Sequence, residues 1–373
     1  MIACPLHVEH DDSEWLWPGR GDWSPEAYEA WVGGLAGIST EGWSSRRWAA
    51  AYRRVSEAIV DRPGSVGRTT GSMDDPEGVA IRALVFGQRT ALVLGELMEE
   101  GWARGRRVVD AGSGTGPGAL AALAAGARSV VSVEPGPAEA RWLEGARAKS
   151  PGGDRWTVAR RALDPRSLDP GLGEVWVFGH SFMEMTRGRR AEARAAVGRL
   201  VEAGARVVIL EAGTAAAARH LSDVRDGRPA DVQRPCRGAL TCPRGPGAEA
   251  WCHFTWKRRL GPAATRILQS AGRRSNLVHF SYLDLVRGGS RPTDRRLIEI
   301  QRRGRRSRVL HVCGPNGEDR LEVAPKPTEV WSWAEALVEG DLLSAPEGLP
   351  APTDGRPVRL RAPLRALGSP RST

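Results

Sequence analysis

Between residues 106 and 214 the chain alternates short apolar runs with stretches of helical spacing. RRVVDAG (106–112), SVVSVEP (129–135), WTVARRAL (156–163), EVWVFGHS (174–181) and ARVVILEAG (205–213) read as strands. GALAALAAGA (118–127) and residues 137–149 and 188–203 read as helices. Strands at this spacing with helices between them make an α/β fold, a parallel doubly wound, Rossmann-like sheet. Residues 1–95 read as a helical cap, with Trp15, Trp17, Trp23, Trp31, Trp43 and Trp48 scattered through it and helical apolar spacing over 76–100. The sheet domain is placed at 96–225. Residues 226–343 break the pattern and form a cysteine-rich, basic C-terminal extension. Residues 344–373, rich in Pro, Arg and Ser, are expected to be a disordered basic tail. No internal repeat is visible.

No run of about 18 uncharged apolar residues occurs, so no membrane span or membrane partner is expected. The N-terminal residues carry acids and lack a basic-then-apolar signal pattern, which points to a cytoplasmic protein. A monomer is expected.

Charge changes this picture. All but three of the 54 Lys and Arg residues are arginine, the exceptions being Lys149, Lys257 and Lys326. Against 44 acids the net charge is +10, with a pI near 10.2. A GC-rich coding bias accounts for arginine over lysine but not for the excess itself. The excess points to a polyanionic partner, RNA first. Nine arginines against Asp294 and Glu299 fill the hairpin-like run from Arg287 to Arg308. Arg295, Arg296, Arg302, Arg303, Arg305, Arg306 and Arg308 are the expected RNA-binding residues, since guanidinium forks grip phosphate and stack on bases.

The turn VVDAGSGTGPG carries Asp110, Gly112, Gly114, Gly116 and Gly118 between a strand and a helix. A dinucleotide fingerprint would place glycine where Pro117 stands. An acid followed by G-x-G-x-G instead resembles motif I of class I S-adenosylmethionine-dependent methyltransferases. That resemblance implies that the acid and glycines hold the methionyl part of the cofactor. Glu134 ends the second strand, where a carboxylate can accept from both ribose hydroxyls. Asp164, after the third strand, is a weaker candidate for the adenine edge. The fourth strand runs into GHSFMEM (179–185), where class I methyltransferases place residues facing the methyl acceptor. Ser181 and Glu184 are the polar candidates there, with Glu184 a possible general base. Neither an Asn/Asp-Pro-Pro-Tyr signature nor a nearby nucleophilic cysteine accompanies them, so no recognisable catalytic signature is present.

Four of the five cysteines lie in the second half, spaced Cys236-x5-Cys242-x9-Cys252-x60-Cys313, while Cys4 has no assigned role. Four thiolates can close a zinc site or bind an iron–sulfur cluster, and the wide, uneven loops suit a cluster at least as well.

LEAGT (210–214), RPC (234–236), TCP (241–243), WCHF (251–254), HFSYL (279–283) and HVCGPNG (311–317) follow one another in that order. This ordered set resembles the methyltransferase-like small-ribosomal-subunit assembly proteins known from mitochondria and also found in bacteria. The resemblance covers roughly residues 80–343. Two departures are Arg237-Gly238, where the family often has Pro-His, and Val278-His279, where it often has an acidic-Lys pair. The resemblance implies a class I methyltransferase fold, S-adenosylmethionine, and a [4Fe-4S] cluster on Cys236, Cys242, Cys252 and Cys313. It also implies association with the small ribosomal subunit and its RNA during ribosome biogenesis and translation. The alternatives are an active RNA methyltransferase and a small-molecule methyltransferase with a structural zinc site.

Overall fold

The computed structural model describes residues 24–37, 45–61, 75–98, 101–235, 244, 251–257, 259–273, 277–289, 294–303, 307–314, 317–323, 329–337, 342–344, 358–360 and 366–368. The chain divides into two compact units, Met1–Leu200 with Lys257–Val278 and Val201–Trp256 with His279–Thr373. Residues 257–278, read from composition as part of the cysteine-rich region, therefore group with the first unit.

The first unit begins with helices α1 (Pro25–Ala36) and α2 (Ser45–Ser56). In α2, Trp48, Ala49, Tyr52 and Val55 are buried while Arg46, Arg47, Arg53 and Arg54 are exposed, the two faces of one amphipathic helix. Helix α3 (Pro76–Met98) starts at Asp75, whose side chain accepts from the Gly78 N–H at 2.5 Å, with Pro76 at its first position. By length and composition α3 could cross a bilayer, but most of it is buried, as a core helix of a globular unit is.

Strand β1 (Arg107–Ala111), helix α4 (Pro117–Ala124), strand β2 (Ser129–Val133), helix α5 (Pro137–Ala148), and strands β3 (Trp156–Ala159) and β4 (Val175–Gly179) follow. Their order is β3-β2-β1-β4, all parallel, with Val109 opposite Val131 on one side and Trp176 on the other. The strands are buried and rich in β-branched and aromatic residues, as a sheet covered on both faces requires. Helices α6 (Ser181–Glu184) and α7 (Arg187–Glu202) come next. The chain passes through α8 (Ala215–Asp226) of the second unit before α9 (Pro262–Ser270) completes the first. No side chain at Gly261 can cap α9. The buried Glu29 of α1 does so, accepting from Ala263 N–H at 2.9 Å and Ala264 N–H at 2.7 Å.

In the second unit β5 (Arg206–Ala212), β8 (Leu277–Leu285) and β6 (Val232–Arg234) lie in the order β5-β8-β6, with β7 (Phe254–Lys257) also paired to β8. β8 runs antiparallel to both β5 and β6. The parallel order 3-2-1-4 of the first unit is that of a doubly wound sheet, and the second unit pairs its strands antiparallel about β8.

A separate sheet has the order β13-β11-β10-β9-β12-β14. It comprises β9 (Asp294–Arg303), β10 (Ser307–Gly314), β11 (Gly317–Val323), β12 (Leu342–Ser344), β13 (Val358–Leu360) and β14 (Ala366–Gly368). Leu310, Val312, Leu321 and Val323 form one apolar face, on which Val330, Trp331 and Ala334 of α10 (Glu329–Ala336) pack. The tail 344–373, expected to lack order, is corrected at two stretches. Val358–Leu360 pairs with β11, and Ala366–Gly368 pairs with β12. Their apolar residues gain a partner at open sheet edges that composition cannot reveal.

Candidate functional site

The first unit gathers the glycine turn and its carboxylates at the C-terminal ends of β1, β2 and β4. Asp110, 2% exposed, accepts from the Ala119 N–H of α4 at 2.9 Å. Burial pushes its carboxyl up to about 7; Glu134's charge adds to this, and bonds from Ala119 and Ser113 oppose it. Gly118 must be glycine because a Cβ would stand 2.5 Å from Asp110 Oδ1. Gly114 has φ +54°, and nothing lies within 4 Å of where its Cβ would point. That open space is where a ligand can approach the backbone. Gly112 and Gly116 complete the turn, and Ser113 Oγ donates to Asp110 O at 2.7 Å.

Glu134 ties the turn to β2. Its two oxygens accept from Gly136 N–H and Gly114 N–H, each at 2.8 Å. Its carboxyl is raised, first by burial and further by Glu139, against those two bonds and Arg82. Glu139 of α5 pairs with Arg82 of α3, and its second oxygen is buried without a hydrogen-bond partner among the described residues. Glu184, at the end of α6, is exposed. Surrounding protein atoms first, and then the charges of Glu134 and Glu139, raise its carboxyl, and Arg82 opposes them. Glu134, Glu139 and Glu184 thus share the charge of Arg82, with Asp110 beside Glu134, and the mutual repulsion of the carboxylates favours a cationic ligand. Arg82 and Glu139 were not legible in the sequence, because they lie on helices that meet the turn only in the fold.

At the end of β4, His180 holds φ 63°, a left-handed conformation found at no other non-glycine among the described residues. Burial lowers its imidazole to about 4, so it is neutral at pH 7. Ser181 is buried, and its Oγ has no hydrogen-bond partner among the described residues. It sits against Gly112, where a Cβ would meet Ser181 Cβ at 2.7 Å. Asp164 is exposed and caps the short turn Pro165–Ser167, accepting from Arg166 N–H at 3.0 Å.

In the second unit Cys313 of β10 is 5% exposed and Cys252 is half-buried, while Cys236 and Cys242 lie outside the described residues. Among the described residues no group of three or more His, Cys, Asp and Glu could hold a metal ion. Arg244, two residues after Cys242, is buried against Glu318, Glu299 and His311. Burial alone would raise the Glu318 carboxyl, but bonds from His311 and Arg244 hold it down at about 2.

The basic run is an antiparallel hairpin of β9 and β10. Arg295, Arg296, Arg302 and Arg303 occupy positions on β9, and Arg305 and Arg306 lie outside the described residues. Arg308 corrects the expectation of a free phosphate contact. It is 8% exposed, stacks on the Trp331 ring with its guanidinium 4.7 Å from the centroid, and donates to Ala334 O at 3.3 Å. Strand alternation places it on the apolar face under α10, and cation–π stacking makes that position tolerable.

A family model described as mitochondrial small ribosomal subunit Rsm22 matches residues 102–344. The chain belongs to the Rsm22 family. The matched span contains the glycine turn, Glu134, His180 and all four clustered cysteines, so the family expected from the ordered motifs is met. No curated protein matches the chain. Among solved structures, magnesium protoporphyrin IX methyltransferase from Synechocystis PCC 6803 with bound SAM is 16% identical, covers 60% of this chain and 92% of its own, and has a TM-score of 0.37. An S-adenosylmethionine dependent methyltransferase from Mesorhizobium loti is 23% identical over 30% of this chain and 48% of its own, with a TM-score of 0.25. The Rossmann-like assignment of this Rsm22 member rests on its own strand order and glycine turn.

Proposed function

We propose that this Rsm22-family protein binds S-adenosylmethionine in its first unit, carries a [4Fe-4S] cluster in its second, and acts with small-subunit ribosomal RNA. The observation that carries the first part is the open space beside Gly114, whose N–H Glu134 binds, in a turn whose charge neighbours are Asp110, Glu139 and Glu184. S-adenosylmethionine, when bound, supplies a sulfonium cation and a transferable methyl group. Asp110 and the glycine turn would hold its methionyl end. Glu134, at the end of β2, would meet the ribose hydroxyls. The acid wall complements the positive charge. For the cluster, the donor chemistry fits: four thiols in one unit, with Cys313 buried and Cys252 half-buried. Methyl transfer to RNA is the second reading, favoured by the neutral His180 and the unpartnered Ser181 Oγ beside the turn.

Two experiments test this. Asp110 titrates near 7 in the unliganded protein and must ionise to meet a cation. Affinity for S-adenosylmethionine therefore rises about tenfold between pH 6 and 8, and Asp110→Asn flattens the profile. The same shift carries a stability consequence. A carboxyl raised above its unfolded value stabilises the unliganded fold below about pH 4, and that contribution is lost as pH rises through 7. Calorimetric titration at several pH values measures the first effect, and a pH-independent affinity would sink the acid-wall argument. For RNA, replacing Arg295, Arg296, Arg302 and Arg303 by Gln reduces the slope of log affinity against log salt by about 0.7 for each phosphate that these arginines neutralise. An unchanged slope for small-subunit RNA removes the hairpin from the interface.

A further inference from the structure

Within the first unit, arginines stand on either side of the glycine turn. β3 ends at Ala159, whose carbonyl accepts from Glu134 N–H at 3.1 Å and from Arg161 N–H at 3.0 Å. The second bond closes a three-residue turn with Arg160 at its tip. The first holds that turn against the end of β2, at the acid of the proposed cofactor site. On the other side, β4 ends at Gly179 and the chain passes through α6 into α7. Thr186 starts α7, its carbonyl accepting from Arg190 N–H at 2.9 Å and its hydroxyl from Arg189 N–H at 3.5 Å. In the order β3-β2-β1-β4 the ends of β3 and β4 are three strand spacings apart, about 14 Å, with the ends of β1 and β2 between them.

Arg160, Arg161 and Arg189 are exposed, and none of them pairs with a carboxylate among the described residues. Their arginine neighbours are already engaged. Arg166 pairs with Glu192, Arg199 donates to Pro165 O at 2.8 Å, and Arg190 Nη1 donates to Met185 O at 3.0 Å. Arg189 lies in the first turn of α7, which holds no acid, and there the helix dipole opposes a cation. Its placement therefore does not serve the helix. The acids of the turn are distributed the opposite way, since Asp110, Glu134 and Glu139 are buried. Asp164 and Glu184 are exposed in the same two segments, so the three arginines are discrete cations rather than a uniform field. Buried acids between exposed arginines suit a cation held inside and a polyanion lying across the opening.

We propose that Arg160, Arg161 and Arg189 form a rim that grips the phosphates of single-stranded RNA and lays its backbone across the glycine turn. This rests on the RNA reading above, but it places a contact in the first unit, apart from the β9–β10 hairpin. Guanidinium forks bind phosphate oxygens and stack on unpaired bases, and an acidic protein offers carboxylates without the bases. A single strand also leaves a base free to turn toward the open space beside Gly114, whereas a duplex keeps its bases in the stack. The chain's net charge of +10 adds long-range attraction for the same partner.

The test compares full-length wild type with a rim variant, Arg160→Gln/Arg161→Gln/Arg189→Gln, and a control, Arg104→Gln/Arg106→Gln/Arg128→Gln. The control removes the same charge from exposed arginines near the opposite, N-terminal ends of β1 and β2. Binding of a fluorescent oligouridylate is followed by anisotropy at several salt concentrations. The rim variant is expected to bind about tenfold more weakly, with a slope of log affinity against log salt smaller by about 2, or about 0.7 for each phosphate released. The control is expected to keep the wild-type slope. Equal changes in both variants, or none in the rim variant, overturn the inference. Polyglutamate that binds as tightly as the oligouridylate, with the same loss in the rim variant, overturns RNA as the partner in favour of acidic protein. A wild type that binds neither the oligouridylate nor small-subunit RNA removes the RNA reading itself. RNA binding that is lost with the hairpin arginines and untouched in the rim variant removes the rim and leaves that reading standing. Thermal melts on the same samples check the fold. If the triple variant melts early, Arg160→Gln alone decides, with a slope change of about 0.7 expected and an unchanged slope overturning the inference.

Discussion

Gly114→Arg loses affinity for S-adenosylmethionine by about a hundredfold or more, equal to about 2.7 kcal/mol, while the fold survives. The loss follows from what surrounds this glycine. Gly118 and Gly116 lack room for a side chain because it would strike protein: Asp110 in one case, Leu143 and Trp156 in the other. Gly114 would strike nothing within 4 Å, so an arginine there projects into the space kept for the ligand. The left-handed backbone at φ +54° adds a stability cost of about 1–2 kcal/mol for any non-glycine residue. Calorimetric titration with S-adenosylmethionine, beside a thermal melt, separates the two effects. Wild-type affinity in a folded Gly114→Arg protein would place the ligand elsewhere.

Asp284→Ala destabilises the protein by roughly 3–5 kcal/mol, the cost of breaking a buried ion pair by removing one partner. Asp284 of β8 is 1% exposed and accepts from both Arg206 Nε at 2.8 Å and Arg234 Nε at 3.0 Å. The two arginines differ. The Arg206 side chain is 20% exposed and can extend its head into water. Arg234 is 5% exposed and cannot. Asp284→Ala therefore breaks a buried ion pair on the Arg234 side, and adding Arg234→Met to Asp284→Leu restores most of the loss. The urea midpoint of the full chain measures this. A double variant no better than Asp284→Ala would mean that the pair does more than neutralise its own burial, and an Asp284→Ala midpoint equal to wild type would refute the argument.

The outline of the first unit was legible because its signals are local. The runs around Val109, Val131 and Trp176 have strand length and apolar character whatever surrounds them, and all became parallel neighbours. Asp110 and Glu134 were legible for the same reason, each closing a strand whose end the sequence marks. Asp164 also follows a strand, and its side chain caps the next short turn, a role that the spacing alone does not reveal. His180 left no sequence signal, since a left-handed histidine has the same letter as any other.

Arginine shows the division most clearly. By itself the sequence determined the doubly wound α/β order, the glycine turn with its acids, the ordered cysteine motifs and an excess of positive charge. Those are properties of neighbouring residues or of totals, which no fold is needed to evaluate. Only the tertiary structure decided which arginines face water and which are enclosed. Arg308 belongs to the densest basic run, yet it lies under α10 against Trp331. Arg244 stands in a Pro- and Gly-rich stretch, yet it joins Glu299, His311 and Glu318 from three strands. The residues that neutralise Arg244 lie 55 to 74 positions away in the chain. A guanidinium's environment is set by such distant partners, and they meet only when the sheet has formed.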